Sequence, residues 1–317
     1  MQILFLSRWF PYPPANGSKL RVYNLLRGLA DHHDVTLLSF SDQPDVDSNT
    51  HALDSICRDA QVVQWEGFDT RSLRAHLGYL SLNPRSVVDT FSSELKQRLQ
   101  QLLDTVDFDL IIASQIDMAG YSKYFGDVPA LFDEVELGVL YEQFARAPSL
   151  WPRLRHALTW AKHRRYLASV LNNFLACTVV SDQEYQIITC AVRGYRSIEV
   201  IPNCVDLASY RGVRETHRSR NLIFTGSLSY YPNYEAMLWF LQKVYPRIQM
   251  NVLDVRLVIT GNHGGRVLPP ASNVDLTGFV DDVRPIISSS TISLVPLHTG
   301  GGTRLKILEA MALRTPV

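Results

Sequence analysis

An α/β chain of two doubly wound parallel sheets is what this sequence predicts, on three observations. Short apolar runs alternate with segments of helical period, the runs fall into two series, and a polar, charged stretch separates the series. The first series is 3–6, 35–40, 61–65, 110–114, 130–132 and 176–181. The second is 222–225, 256–260, 274–277 and 291–296, with a helix pattern over 234–241 between its first two members. This alternation is the signature of βαβ units. The charged segment 210–220 has the composition of a linker, which sets residues 1–205 as a first domain, 206–219 as a hinge and 220–317 as a second domain.

Open sheets of this kind bind ligands at the carboxyl ends of their strands, so two of them are expected to face a shared cleft. The junctions that follow strands are therefore where chemistry is sought. The clearest lies after the last strand of the second series, expected over 293–297, where Gly300, Gly301, Gly302 and Thr303 lead into a helix carrying Arg304, Lys306 and Glu309. Glycines let the backbone approach a ligand closely, and the free N–H groups and dipole of a helix start favour negative charge. Arg304 and Lys306 add two cations. Glu309, three residues after Lys306, shares the lysine's side of the helix and offers a carboxylate to hydroxyl groups. Phosphate plus diol points to a nucleotide; the plain alternative is an ordinary turn followed by a solvated helix. Leu305, Leu308 and Ala312 are spaced as a buried face, which favours the first reading.

Two further junctions carry weaker signals. Gly17, with Lys19 and Arg21 close by, opens a helix after the first strand and forms a second anion cradle or a plain loop. Gly226 and Ser227 follow the strand 222–225, with Asn233 expected to cap the next helix.

Composition narrows the function classes. The 317 residues carry 31 basic and 31 acidic side chains, so no strongly positive field is available for general nucleic-acid binding. The four cysteines, Cys57, Cys177, Cys190 and Cys204, lack Cys-x-x-Cys spacing and indicate neither zinc nor a disulfide framework. No export signal or membrane-spanning run is expected, which places the chain in the cytoplasm. Asp107-Phe108-Asp109 and Asp45-Val46-Asp47 read as turns rather than metal ligands, and no metal is expected. From Gln143 to Ser181 there is no acid, while Arg146, Arg153, Arg155, Lys162, Arg164 and Arg165 occur with Trp151, Trp160 and Tyr166. Such a helix suits an anionic membrane surface, or is a solvated face.

The chain resembles the family-four glycosyltransferases of the GT-B fold, in particular bacterial sugar transferases of exopolysaccharide assembly. The resemblance spans nearly the whole chain. It rests on Phe10-Pro11 through Gly17-Ser18, Val180-Ser181, Ile201-Pro202-Asn203-Cys204-Val205-Asp206, Phe224-Thr225-Gly226 and Pro232-Asn233. Its most specific part is Gly278-Phe279-Val280-Asp281-Asp282-Val283 together with Gly300 through Met311.

The resemblance implies two Rossmann-like domains and transfer of a sugar from a nucleotide diphosphate sugar to a glycan or lipid-linked acceptor, with retention of configuration and without a metal or other cofactor. Glu309 would hold the ribose hydroxyls, Arg304 and Lys306 the diphosphate, and the amides of Gly301 to Thr303 its oxygens. The backbone at Phe279 and Val280 would hold the base, and Gly17 would border the leaving phosphate. Asp133 and Glu136 match an acidic position near the reacting sugar. Three departures stand out: Gly301 occupies the place of the first of the family's two glutamates, Ser227 stands where relatives have arginine, and Cys204 where they have glycine. Thr315-Pro316-Val317 reads as the start of a further strand, so the second domain is expected to be incomplete. A degenerate nucleotide-sugar-binding protein or fragment is the alternative reading, and an epimerase of the same architecture fits the glycine-rich run less well.

Overall fold

The computed structural model describes residues 1–14, 16–42, 51–133, 135–145, 149–213, 220–299 and 302–317, and the chain divides into two compact units. The first comprises Met1–Pro202 with Gly301–Thr303, the second Asn203–Gly300 with Arg304–Val317.

The first unit is built on strands β1 (Gln2–Ser7), β2 (Asp34–Ser41), β3 (Asp59–Gln64), β4 (Leu110–Ser114), β5 (Ala130–Asp133), β6 (Ala176–Val179) and β7 (Ile198–Val200). All neighbours are parallel, in the order β3-β2-β1-β4-β5-β6-β7, so the winding reverses between β1 and β4. Alternate side chains of a strand point to opposite faces, and the core divides accordingly. Leu4, Leu6, Leu38 and Phe40 join one cluster, while Ile3, Phe5, Val35 and Leu37 join the other. Helix α1 (Gly17–Ala30) covers the second face through Val22 and Leu26. Its start is fixed by Asn16, whose side chain accepts from the Lys19 amide at 2.9 Å.

Between β3 and β4 lie α2 (Leu73–Leu77), α3 (Arg85–Asp89) and α4 (Ser93–Thr105), the last capped by Ser92 and packed through Leu95, Leu99 and Leu102. A short helix α5 (Ile116–Ala119) follows β4, and α6 (Gly138–Ala145) and α7 (Leu150–Leu171) follow β5. Helix α8 (Asp182–Ala191) connects β6 to β7. Buried Glu184, on its first turn, accepts from the amides of Leu137 and Gly138 at 2.9 and 3.0 Å, so one helix's carboxylate caps the start of α6. Burial raises the pKa of Glu184.

The second unit has a four-stranded parallel sheet in the order β10-β9-β8-β11, from β8 (Asn221–Thr225), β9 (Arg256–Thr260), β10 (Val274–Gly278) and β11 (Ile292–Ser293). Leu222, Phe224, Leu257 and Ile259 pack on one face against α9 (Tyr231–Trp239) and α10 (Tyr245–Asn251). A π-helical turn, Phe240–Val244, joins these two helices just before Pro246, whose missing N–H removes a helical hydrogen bond. On the other face Ile223 meets Ile287 of α11 (Arg284–Ser289) and Ala310 of α12 (Leu305–Ala312).

Three expectations are corrected here. The last strand is two residues, Ile292–Ser293, rather than 291–296, because Pro296 lacks the ladder's N–H. Helix α12 is not anchored by Leu305, Leu308 and Ala312, which are only half-buried; small Ala310 approaches the sheet instead, with Leu313 beside it. Asn233 is not a cap, because α9 begins two residues earlier at Tyr231. The Pro316 carbonyl accepts from the Ser293 amide at 2.8 Å. Among the described residues, no helix is long and apolar enough to cross a membrane.

Candidate functional site

The second unit gathers its chemistry at the carboxyl end of β8. There the chain turns through Gly226 at φ +135° while the neighbouring strand leaves through Gly261 at φ +111°. A Cβ on Gly261 would lie 2.6 Å from the Gly226 carbonyl carbon, so the two turns touch backbone to backbone. A Cβ on Gly226 would lie 2.8 Å from Asn233 Nδ2 and 3.1 Å from Lys306 Nζ. Glycine at 226 is thus what lets Asn233 and Lys306 reach the loop, and glycine at 261 is what lets the two turns approach.

Asn233 bridges the parts. Its Nδ2 donates to the Ser227 carbonyl at 2.9 Å, and its Oδ1 accepts from Lys306 Nζ at 3.2 Å. Lys306 also sits 4.1 Å from the centre of the Phe224 ring. Burial lowers the lysine's pKa to about 7; Glu309 acts to raise it and Arg304 to lower it further. Burial likewise raises the pKa of Glu309, against the influence of Tyr210 and Lys306. Tyr210 Oη donates to Glu309 Oε1 at 3.2 Å, and its own pKa is pushed up, chiefly by burial and then by Glu309. The site therefore holds a lysine and a glutamate that are both poorly solvated as ions.

Other expected residues take defined places. Arg304 immediately precedes α12 rather than lying within it. Ser227 Oγ donates to the Asn262 carbonyl at 3.0 Å and accepts from the Ser229 amide at 3.2 Å, which shapes the loop. Phe279 is exposed and Val280 half-buried, just past Gly278, whose carbonyl accepts from the Gly261 amide at 2.7 Å. Gly302 has φ +78°, and Thr303 Oγ1 donates to the Val180 carbonyl at 3.1 Å within the first unit. Gly300 and Gly301 lie outside the described residues, as do Asp45, Val46 and Asp47.

In the first unit, Gly17 is the first residue of α1. Asp133, 4% exposed, accepts from Arg21 Nη2 at 2.6 Å and Nε at 3.2 Å, from Thr178 Oγ1 at 2.7 Å and from Ser114 Oγ at 3.1 Å. Arg21, expected beside the Gly17 cradle, is committed to this pair and to the Ile201 carbonyl at 2.8 Å. Lys19 lies 3.6 Å from Asp42. Glu136 is exposed. His298 meets Trp239 edge to face at 4.5 Å, and Asp109 accepts from the Gln2 amide at 2.7 Å.

The sequence reading missed Tyr210 and the bridging role of Asn233. Tyr210 lies in the short helical turn Leu207–Tyr210, within the stretch expected as hinge, and 99 positions separate it from Glu309. No local pattern announces such a pairing. It also missed a second buried cluster, where Arg8 stacks 3.5 Å above Trp65 and 4.2 Å from Trp9 and lowers the pKa that burial raises at Asp117.

Known proteins place this architecture. The family model described as "Glycosyl transferases group 1" matches residues 219–317. A 44.6 kDa protein in the cps region of Klebsiella pneumoniae is 20% identical over 323 residues, covering 98% of this chain and 80% of that protein. Anabaena HepE in complex with UDP and glucose superposes with a TM-score of 0.63 at 15% identity, covering 100% of this chain and 80% of its own. Sucrose-phosphate synthase from Thermosynechococcus elongatus superposes with a TM-score of 0.67 at 15% identity, with the same coverages. The chain has the GT-B fold, and its residues 219–317 match the group 1 glycosyl transferases.

Proposed function

We propose that this chain is a retaining glycosyltransferase that moves a sugar, of the hexose type, from a nucleotide diphosphate sugar to a glycan or lipid-linked acceptor. The observation that carries the reading is the Lys306–Asn233–Gly226 cluster with Glu309 and Tyr210 beside it, at the end of a strand in a domain that matches group 1 glycosyl transferases. HepE, of the same fold, binds UDP-glucose, which supports a nucleotide sugar as donor.

In this reading Arg304 and Lys306 neutralise the diphosphate, with the amides around Gly302 and Thr303 on its oxygens, and Glu309 accepts from the ribose hydroxyls. The loop at Phe279 and Val280 carries the base. As the bond from the anomeric carbon to the diphosphate oxygen breaks, an acceptor hydroxyl oxygen bonds to that carbon and its proton passes to the departing phosphate. Negative charge grows on the leaving group, where preorganised cations stabilise it most. Glu136 is the exposed acid proposed near the reacting sugar, whereas Asp133, saturated by Arg21, Ser114 and Thr178, holds the strand ends beneath it. No metal or other cofactor enters the proposal, and its setting is the cytoplasmic face of a membrane.

A second reading, a nucleotide-sugar-binding protein without turnover, is favoured by Gly301 in the place of the first glutamate. Thermal unfolding with UDP, GDP, ADP and TDP tests the site. Ligand at 100 times its dissociation constant stabilises by about 2.7 kcal/mol, and the shift is expected for one base and lost in Glu309→Ala. Absence of any shift overturns both readings. Release of free sugar from the stabilising donor separates transferase from binder.

A further inference from the structure

The first unit exposes large apolar side chains in two places that the fold brings together. Within ten residues, Leu73, Leu77, Tyr79, Leu80 and Leu82 all face solvent, Leu80 with 88% of its surface. On the amino-terminal half of α7, Leu150, Trp151, Leu154 and Leu158 do the same, Trp151 with 84%. Lys162 joins the two elements, its Nζ donating to the carbonyls of Gly78 and Tyr79 at 3.0 and 3.2 Å. Trp151, Arg155 and Leu158 precede Lys162 by eleven, seven and four residues, so they lie on the face of α7 that turns toward Gly78 and Tyr79.

The leucine segment is built rather than loose. Arg85 Nε donates to the Ala75 carbonyl at 2.8 Å, Nη2 to Thr70 at 3.2 Å, and Nη1 to Tyr79 Oη at 2.7 Å, with the guanidinium 3.8 Å from the Tyr79 ring centre. Gly78 packs tightly here, since a Cβ there would lie 3.0 Å from Arg85 Cα and 3.1 Å from the Ala75 carbonyl oxygen. This scaffold holds leucines outward.

Charge names the occupant. No acid occurs between Asp69 and Asp89 or between Glu142 and Asp182, while Arg71, Arg74, Arg153 and Arg155 are exposed among the leucines. Asp89, at the edge of the first segment, accepts from the Asp69 amide at 2.9 Å and from Ser72 Oγ. Leucines and a tryptophan interspersed with cations, with no acid inside either run, match a surface that is apolar within and anionic at its rim.

We propose that segment 70–88 and the amino-terminal half of α7 together form a docking surface for a bilayer bearing anionic lipid headgroups. Arg164 is excluded from it: its Nε donates to the Ala191 carbonyl at 3.2 Å, on another side of α7. The surface gives the proposed transfer to a lipid-linked acceptor its partner, and it rests on that reading for its purpose alone.

Flotation with phosphatidylcholine vesicles, with and without phosphatidylglycerol, tests it. The chain is expected to float with the anionic vesicles and to be released by salt. Leu77→Ser with Leu80→Ser weakens binding roughly tenfold or more. Arg71→Gln and Arg155→Gln each cost roughly fivefold, and Arg164→Gln leaves binding unchanged. Both leucines are exposed, so the double variant keeps its melting temperature. No flotation, or flotation unaffected by the leucine changes, overturns the proposal. So does a concentration-dependent dimer in sedimentation velocity that the same changes abolish, which assigns the surface to a second copy. Nucleotide-induced stabilisation measured without vesicles reports the donor site separately, so the two proposals fail independently.

Discussion

Lys306 Nζ and Asn233 Oδ1 lie 3.2 Å apart although 73 positions separate them in the chain. A neutral amide as partner leaves the ammonium uncompensated, and the carboxylate of Glu309 offsets burial only in part. In the function proposed above, this is the lysine that accepts the diphosphate's charge. Asn233→Ala is expected to weaken nucleotide binding about tenfold and to lower stability by about 1 kcal/mol, since it frees both the lysine and the Ser227 carbonyl. Calorimetric titration and thermal unfolding read the two effects; unchanged binding would show that Lys306 needs no bridge.

The lowered pKa of Lys306, about 7 against 10.5 for a free lysine, has a signed consequence for stability. Between these values the unfolded chain holds a proton that the folded chain lacks, so this group makes stability rise with pH from about 7 to about 10.5. Lys306→Met removes that slope. Binding a diphosphate restores the charge, so nucleotide binding takes up a proton near pH 8. Titrations in buffers of different ionisation enthalpy measure the uptake, which should vanish in the methionine variant.

Gly226→Ala and Gly261→Ala place a Cβ 2.8 Å from Asn233 Nδ2 and 2.6 Å from the Gly226 backbone respectively, both at positive φ. Each is expected to cost about 1–3 kcal/mol or more. Gly265→Ala, at φ +70° with nothing within 4 Å, is expected to cost only about 1–2 kcal/mol. Denaturant melts of the three variants test the ranking, and equal midpoints would refute it.

Arg21 and Asp133 form a buried ion pair, so removing one partner leaves an uncompensated charge. Arg21→Met is expected to destabilise by about 3–5 kcal/mol, and Arg21→Met with Asp133→Leu by less than the sum of the separate changes. A double variant that loses the full sum would mean that the pair is not coupled.

The central strands were written locally, because a strand buried on both faces reads as an unbroken apolar run; β4 and β9 fall on residues 110–114 and 256–260 as expected.

 The exceptions have physical causes. Strand β7 escaped notice because it is three residues long and exposes Glu199 and Val200, which gives it no apolar run. Asn233 was misread as a cap because its amide chemistry suits both a helix start and a bridge, and only the fold shows which backbone lies within reach. Lys306 and Glu309 were legible as a pair three residues apart on one helix. Tyr210 was not, since its contact with Glu309 depends on how a distant turn packs.

The position of β1 in its sheet also bears on how the chain is made. This strand is synthesised early, yet it lies between β2 and β4, and its register with β4 pairs Ile3 with Leu110 through Ser7 with Ser114. One edge of β1 must therefore wait until about a hundred further residues have left the ribosome. At about 5–20 residues per second this is roughly 5–20 s during which an apolar strand edge is open to the wrong neighbour. Nascent chains stopped before Leu110 are the ones that would call most on chaperones.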